Sequence, residues 1–261
     1  TIGTGSPKDA VFGGALRGRI SSQCLKRSMR LSPFFVEAFK ADGLLGDRTK
    51  TLPSIIKDEL AKLTQDKEAI AAIVKRVPEI GRESKKRGEG EETEDQADVT
   101  PAESEDTVAG ETKQLIFLDR KTEAPLLAEQ LLAVYNRVGA KQWEKAPIKD
   151  IAKEIEPCVP RSVDIAMFGR MLADMPEANQ DAACQVAHAI STHRVEREFD
   201  YFTAVDDEGG ADETGAGMIG HVEFNAATFY RYAVVDVQKL ATNLQGDNAL
   251  ALQGLLAFAE G

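Results

Sequence analysis

The arrangement of hydrophobic and polar residues predicts a short amphipathic helix near the start of the chain. Ser21 and Ser22 suit its N-cap, because a serine hydroxyl accepts a hydrogen bond from the first free N–H groups of a helix. At 3.6 residues per turn, one face of this helix is polar and the other is mostly apolar. The polar face carries Gln23, Lys26, Arg27 and Arg30, and the other face carries Cys24, Leu25, Ser28 and Met29. We therefore expect the second face to pack on a core.

The same pattern predicts further helices and strands along the chain. Helical spacing of apolar residues is found at 54–63, 66–77, 123–138, 148–155, 237–244 and 249–259. Strand-like runs are found at 16–20, 162–170, 183–192, 194–205, 218–224 and 228–237, with a loop at 4–8 and a turn at Gly13 and Gly14. This order predicts an α+β domain with helices on one face of an antiparallel sheet, most simply a ferredoxin-like βαββαβ arrangement with large insertions.

Charge is distributed unevenly along the chain, whose net charge is −11. Residues 89–113 contain ten acidic residues and one basic residue. The segment 82–112 has few large apolar side chains and many charged ones, so we expect it to be disordered or mobile. Between Lys8 and Arg30, in contrast, there are six basic residues and one acidic residue. The positive charge therefore coincides with the predicted amphipathic helix.

Cations beside a helix N-terminus predict a site that holds the phosphates of a nucleic acid. The free N–H groups and the positive end of the helix dipole both attract anions. Arg17 and Arg19 precede the helix on a predicted strand and add to its charge. The alternative is a surface helix whose basic face is merely solvated.

The sequence contains no recognisable catalytic motif, and no cofactor or metal ion is predicted. The three histidines are His188, His193 and His221. His188 and His193 are spaced so that neither a strand nor a helix turns both toward one metal ion. A histidine pair can still act as acid and base in RNA cleavage, which keeps an RNA-processing endoribonuclease as the alternative function.

Proteins that bind single strands combine cations with side chains that stack on bases or wedge between them. Tyr201 and Phe202, at the base of the predicted hairpin, and Met171 are the candidates for this role. Core packing is the alternative for each of them. Since adjacent strand residues face opposite ways, we expect one of Tyr201 and Phe202 to be in the core.

Two further properties bear on the location of the protein. Three widely separated cysteines without a C-x-x-C pair fit a reducing cytoplasm. No apolar run is long enough to cross a bilayer, so no membrane association is expected. The chain begins with Thr rather than Met, and we expect it to be an excerpt of a longer protein.

Several segments resemble, in order, the CasC family, the crRNA-binding backbone subunit of the type I-E CRISPR Cascade complex. They are KDAVFGG at 8–14, RISSQCLKRSMR at 19–30, VDIAMFGRM at 163–171, VAHAISTH at 186–193, DYFTAVDD at 200–207 and FYRYAVV at 229–235. Each segment alone is a weak signal, but together they are specific and cover both ends of the chain. The region 40–160 does not match residue by residue.

The resemblance implies a fold shaped like a hand. An RRM-like (ferredoxin-like) palm would comprise 1–40 and 161–261, and a helical finger insertion would comprise 41–160. A long thumb β-hairpin would span 194–224 within the second part of the palm.

The resemblance also implies a non-catalytic role in CRISPR antiviral defence. Copies of the subunit would stack head to tail along one crRNA in a helical ribonucleoprotein filament, together with other Cascade subunits. Each thumb would kink the RNA and turn out one base. The bases between kinks would pair with target DNA.

Carried over to this sequence, the resemblance assigns RNA contacts to residues of the palm and the thumb. Phosphate contacts would be made by Ser21, Gln23, Lys26 and Arg30, with Lys8, Arg17, Arg19 and Arg27 as supporting cations. Met171, preceded by Arg170, would lie in the palm against the kinked nucleotide. Tyr201, Phe202 and Thr203 would lie at the thumb.

Overall fold

The computed structural model describes residues 7–79, 111–112, 115–172, 178–204 and 218–261. Its strands are β1 (Lys8–Phe12), β2 (Ala15–Ile20), β3 (Asp47–Thr49), β4 (Ile116–Leu118), β5 (Cys184–Val186), β6 (Ala189–Ser191), β7 (Glu198–Ala204), β8 (Met218–Phe224), β9 (Phe229–Tyr230) and β10 (Ala233–Val235). Its α-helices are α1 (Ser22–Arg30), α2 (Pro33–Phe39), α3 (Leu52–Leu63), α4 (Lys67–Arg76), α5 (Glu123–Val138), α6 (Ala140–Lys145), α7 (Ile148–Lys153), α8 (Val163–Phe168), α9 (Val237–Asn243) and α10 (Asn248–Glu260).

The chain divides into two compact units. The first unit comprises Thr1–Ser32 and Gln185–Val234, and the second comprises Pro33–Cys184 and Val235–Gly261. The boundaries between the two units, at 32/33, 184/185 and 234/235, differ from the palm and finger bounds expected at 40/41 and 160/161. The assignment of palm, finger and thumb therefore stays a prediction, whereas the mixed α+β class with antiparallel sheets is confirmed.

The first unit contains a four-stranded antiparallel sheet in the order β1-β2-β6-β9. Gly13 and Gly14, with φ angles of 61° and 74°, form the two-residue turn between β1 and β2. Positive φ at both positions matches the twist of a tight hairpin, and glycine adopts it without strain. The predicted turn is confirmed. The predicted loop at 4–8 is wrong at Lys8, which begins β1 and pairs with Arg19.

A two-stranded antiparallel ribbon, β7 with β8, also belongs to the first unit. The two strands pair along their whole length, from Glu198 opposite Phe224 to Ala204 opposite Met218. The strands predicted at 194–205 and 218–224 are therefore present. The predicted hairpin tip at 206–217 lies outside the described residues.

A hydrophobic core within the second unit is built around helices α3, α4 and α5. Ile56 and Leu60 of α3 and Leu131 of α5 are fully buried in it. Asp66 caps α4 by accepting hydrogen bonds from two backbone N–H groups, as the sequence favours at an N-cap. Trp143 closes the core, and its indole N–H donates to the carbonyl of Ala72 at 3.1 Å. The helices predicted at 54–63, 66–77, 123–138 and 148–155 are confirmed.

The region predicted as a strand at 162–170 is instead the short helix α8. Val163, Ile165 and Met167 are all fully buried, so this apolar run contacts neighbours on every side. A short run in which even the one polar residue, Asp164, is buried has no period that separates a buried strand from a buried helix. Asp164 completes the turn, because its Oδ1 accepts from the N–H groups of Gly46 and Ile165.

Two long predicted strands are each divided into two short ones. The strand predicted at 183–192 becomes β5 and β6, and these pair in different sheets: β5 with β10, and β6 with β2 and β9. The strand predicted at 228–237 becomes β9 and β10. Alternation of side chains is the same on both sides of such a break, so the sequence pattern does not show it.

The segment predicted to be disordered, 82–112, lies almost entirely outside the described residues. Its last residue is an exception, since Thr112 is buried and its N–H donates to the carbonyl of Lys50 at 2.8 Å. The prediction is therefore wrong for Thr112. Among the described residues, no helix is long and apolar enough to cross a membrane.

Candidate nucleic-acid interface

Helix α1 has the cap that its sequence predicts, but only half of the predicted packing face, because Cys24 and Ser28 are exposed. The Oγ of Ser21 accepts from the N–H of Cys24 at 3.3 Å and so caps the helix. Leu25 and Met29 are buried. The predicted basic face is accessible, with Gln23 and Arg27 exposed and Lys26 and Arg30 partly buried. The predicted helix is confirmed, and its contact with RNA stays a prediction.

His188 lies at the N-terminus of this helix. Its Nδ1 accepts a hydrogen bond from the N–H of Ser22 at 3.1 Å. His193 is exposed, and its Nδ1 lies 2.8 Å from the carbonyl oxygen of Arg194. One nitrogen of each ring is thus held by the backbone.

The register of the four-stranded sheet places the predicted basic strand residues together on one face. Residues directly opposite each other in an antiparallel pair project to the same side. Lys8 is opposite Arg19, and Arg19 is opposite Ile190. Ile190 is in turn opposite Tyr230. The four residues form one row across the sheet, with Arg17 two residues from Arg19 on the same face.

The other face of this sheet is covered over β2 and β6, although Val11 of β1, on the same side, is 76% exposed. Ala189 is fully buried and Ser191 is nearly so, and both project to this side. Gly18 lies under the ring of Phe229, whose nearest atom would be 3.2 Å from an added Cβ. The Oγ of Ser191 accepts from the N–H of Gly18 at 3.0 Å. On the face that carries the arginines, Lys8 and Tyr230 are exposed and Arg17 and Arg19 are partly exposed, so this is the accessible, open face along β2, β6 and β9.

The two arginines of β2 carry buried nitrogen atoms that lack a partner within the described part of the chain. These atoms are the Nε of Arg17 and the Nε of Arg19. Arg17 also donates from Nη1 to the carbonyl of Ser191 at 3.2 Å, which holds its side chain across the sheet. A buried donor without an acceptor is costly. The terminal guanidinium nitrogens of arginine pair well with phosphate oxygens, so these two partly exposed side chains suit a phosphate ligand.

Asp9 is the single acidic residue among these cations, and it forms an ion pair on the opposite face of the hairpin. Asp9 alternates with Lys8 and Ala10 and so projects to the opposite face of β1. It accepts hydrogen bonds from Arg197, one of them at 3.0 Å from Nε. Arg197 also lies 3.7 Å from Glu223 of β8. The hydrogen bond to Asp9, and then its negative charge, raise the pKa of Arg197 above its ordinary value.

The ribbon carries exposed aromatic residues on both of its faces. Tyr201 is 75% exposed and Phe202 is 42% exposed, so neither is a core residue. The expectation that one of them would be buried is wrong, because a two-stranded ribbon has no covered side. The ring of Phe202 lies on Gly220, which leaves room for it. Thr203 is opposite Ile219 in the pairing.

Arg170 differs from the other predicted contacts because its side chain is enclosed in the second unit. Its guanidinium donates to Glu123 at 2.7 Å, and the two side chains are 2% and 9% exposed. It also donates to the carbonyl oxygens of Phe117 at 3.0 Å and of Ala178 at 2.7 Å. These bonds use the donor groups that a phosphate would need, so the geometry gives Arg170 a structural role. Met171, the next residue, is 84% exposed.

A partly buried thiol lies beside this ion pair. Burial raises the pKa of Cys158 above its ordinary value, and the charges of Glu123 and Asp119 raise it further. The charge of Arg170 acts in the opposite direction but is a smaller influence. The thiol is thus kept protonated by its surroundings. Among the described residues, no cluster of three or more potential ligand side chains forms a metal site.

The sequence analysis missed two residues of the open sheet face, Ile190 and Tyr230. Both belong to segments that were predicted as strands, but nothing in a strand pattern says which strand will lie beside Arg19. The exposure of Tyr230, at 64%, is also invisible in the sequence. The pattern at 228–237 predicts the strand, and the segment at 229–235 that resembles the CasC family adds the only indication of a functional role for it.

Comparison with known proteins identifies the class to which this α+β chain with its basic sheet face belongs. It is a CRISPR-associated protein of the Cascade type. The family model described as CT1975-like protein matches residues 3–261, so the chain belongs to the CT1975-like family. The resemblance that the sequence segments indicated is confirmed at this level.

Solved structures give the same result. A chain of a "CRISPR RNA-guided surveillance complex, pre-nicking" is 30% identical with a TM-score of 0.66, and a chain of a "CRISPR RNA-guided surveillance complex" is 26% identical with a TM-score of 0.53. Each alignment covers 98% of the present chain. The chain spans 65% and 64% of the length of these two matched chains. No match was found among curated proteins.

Proposed function

We propose that this chain is a CasC-type backbone subunit of a CRISPR surveillance complex and binds the guide RNA along its length. Copies of it stack head to tail and present the RNA for pairing with target DNA. The protein itself does not cleave RNA. The observation that carries the proposal is the open sheet face on which Lys8, Arg17 and Arg19 come together and lead into the capped start of α1.

Three features of this face suit a phosphate backbone. Cations dominate it, because the one acid nearby, Asp9, projects to the other face and is paired with Arg197. The Nε atoms of two arginines, Arg17 and Arg19, have no hydrogen-bond acceptor within the described part of the chain. The N-terminus of α1 adds N–H groups and the positive end of a dipole. Contacts of this kind fix the position of an RNA strand without reading its sequence, which a subunit that carries many different guides requires.

The matched structures support the choice of ligand. They are RNA-guided surveillance complexes, and the present chain aligns with one chain in each of them along 98% of its own length. The head-to-tail assembly is part of the proposal. A head-to-tail contact joins two different surfaces of identical subunits, so it repeats until something blocks an end. RNA of increasing length should therefore bind an increasing number of copies.

Salt-dependent RNA binding tests the proposal. The probe is a fluorescein-labelled single-stranded CRISPR RNA, and its binding is measured by anisotropy at several NaCl concentrations. Lys26→Ala and Arg19→Ala are each expected to weaken binding and to reduce the slope of log K against log salt by roughly 0.7, the value for one phosphate on a single strand. Lys62→Ala is the matched control, because Lys62 is an exposed lysine of α3 paired with Glu59.

The same samples distinguish the competing functions. Unchanged affinity and slope in both Lys26→Ala and Arg19→Ala would show that the phosphates lie elsewhere. Metal-independent cleavage of the probe that is lost in His193→Ala would favour the endoribonuclease. A protein-to-RNA ratio that stays at one as the RNA is lengthened, measured by mass photometry, would contradict head-to-tail assembly.

A further inference from the structure

A row of four side chains crosses the open sheet face and changes character along its length. It runs from Lys8 through Arg19 and Ile190 to Tyr230, as the register of the four strands dictates. Neighbouring strands are about 4.8 Å apart, so Arg19 and Tyr230 are separated by about 10 Å. Cations therefore occupy one end of the row and an aromatic ring occupies the other.

The two aromatic residues of β9 have opposite roles. Phe229 projects to the covered face, where its ring covers Gly18. Tyr230 projects to the open face and remains 64% exposed. Among the described residues, no aromatic ring stacks on Tyr230. An exposed ring beside arginines, on a face that carries no acid in its strands, fits a partner that is both flat and negatively charged.

We propose that Tyr230 is a stacking platform for one base of the RNA strand whose phosphates lie on Arg17 and Arg19. The inference rests on the proposed RNA-binding function and adds a base-contacting residue to it. Every base has a π face, so such a platform adds affinity for single strands without selecting a sequence. Ile190, between the cations and the ring, supplies an apolar surface for the sugar and the edge of the base.

Truncation of the ring is the direct test. Tyr230→Ala is expected to raise the Kd for the labelled single-stranded CRISPR RNA by about 5- to 150-fold, the range that loss of one stacked base predicts. The salt slope should stay unchanged, because no phosphate contact is lost. Tyr230→Phe keeps the ring and should bind nearly as the wild type does. Tyr232→Ala is the matched control, since Tyr232 is an exposed tyrosine outside the paired strands.

Two further measurements separate stacking from a structural effect. On an oligomer of abasic sugar-phosphate units of equal length, wild type and Tyr230→Ala should bind equally, because there is no base to stack. Ultraviolet cross-linking of 4-thiouridine RNA to the wild-type protein, mapped by mass spectrometry, should label Tyr230. This second measurement does not depend on the folding of any variant.

The experiments give different results if the stacking role of Tyr230 is wrong and if the proposed RNA-binding function is wrong. Wild-type protein that binds RNA with a steep salt dependence, while Tyr230→Ala binds equally well, overturns the platform and leaves the proposed function standing. So does an equal loss in Tyr232→Ala, or cross-links that map only to other residues. Failure of the wild type to bind the RNA at all overturns the proposed function instead.

Discussion

Truncation of Arg170 tests whether this residue supports the fold or contacts RNA. Its guanidinium donates four hydrogen bonds, one to Glu123, one to the carbonyl of Phe117 and two to the carbonyl of Ala178, over distances of 2.7 to 3.1 Å. Arg170→Ala removes all of them. The carboxylate of Glu123 then stays buried with only the N–H of Asp119, at 2.7 Å, as a recorded donor.

The size of the effect follows from this burial. Removing one partner of a buried ion pair typically costs about 3–5 kcal/mol, because the other charge is left uncompensated. For a protein of this size, about 2–4 °C of melting temperature corresponds to 1 kcal/mol, so we expect a drop of roughly 6–20 °C. The double variant Arg170→Met with Glu123→Leu should lose less than the single variant, since it leaves no unpaired charge.

Thermal unfolding followed by circular dichroism is the assay, with RNA affinity measured on the same samples. Arg161→Ala is the matched control, because its pair with Asp247 at 3.3 Å is largely exposed and should contribute no more than about 1 kcal/mol. The reasoning is refuted if Arg170→Ala melts with the wild type and instead lowers the salt slope of RNA binding. That result would make Arg170 an RNA contact, as the sequence analysis predicts, and specifically a contact to phosphate.

Two further predictions concern a helix cap and a thiol. Ser21→Ala should lower the free energy of unfolding by about 0.5–2 kcal/mol in a denaturant titration, because the Oγ cap of α1 is lost. Ser28→Ala is the control, since Ser28 lies in the exposed middle of the same helix, and it should be neutral or slightly stabilising. Equal effects of the two serine variants would contradict the cap. In a Cys24→Ala background, alkylation of Cys158 by iodoacetamide at pH 8 should be slower than that of a free cysteine, because burial raises the pKa of this thiol and lowers its thiolate fraction. A pH–rate midpoint at or below the ordinary thiol value would contradict this.

Local patterns were sufficient to predict α1 and α5. In each case the spacing of apolar residues is helical over the whole element, and α1 also has a serine at its cap. The turn at Gly13 and Gly14 was predictable for the same reason, since its conformation depends on those two residues alone. Features of this kind need no knowledge of what the segment packs against.

The remaining features depend on partners that are distant in the sequence. Glu123 is 47 positions from Arg170 in the sequence, so no local pattern around Arg170 indicates that its guanidinium is buried and paired with a carboxylate. The run at 163–168 is a helix in which residues 163–167 are all buried, and a local sequence pattern does not indicate such burial on every side. Tyr230 became part of the basic face only when β9 paired with β6 and β6 paired with β2. A single sequence predicts which segments are strands more readily than which strands become neighbours.

The contacts of Arg197 give the aromatic ribbon a particular mechanical character. A two-stranded ribbon with both faces in water has little stability of its own. Its base is attached to the sheet hairpin through the pair of Arg197 with Asp9, and also through Val195, which is 3% exposed and donates from its N–H to the carbonyl of Leu16 at 3.0 Å. The base of the ribbon is therefore anchored in the sheet, whereas the two strands beyond it depend chiefly on their own pairing.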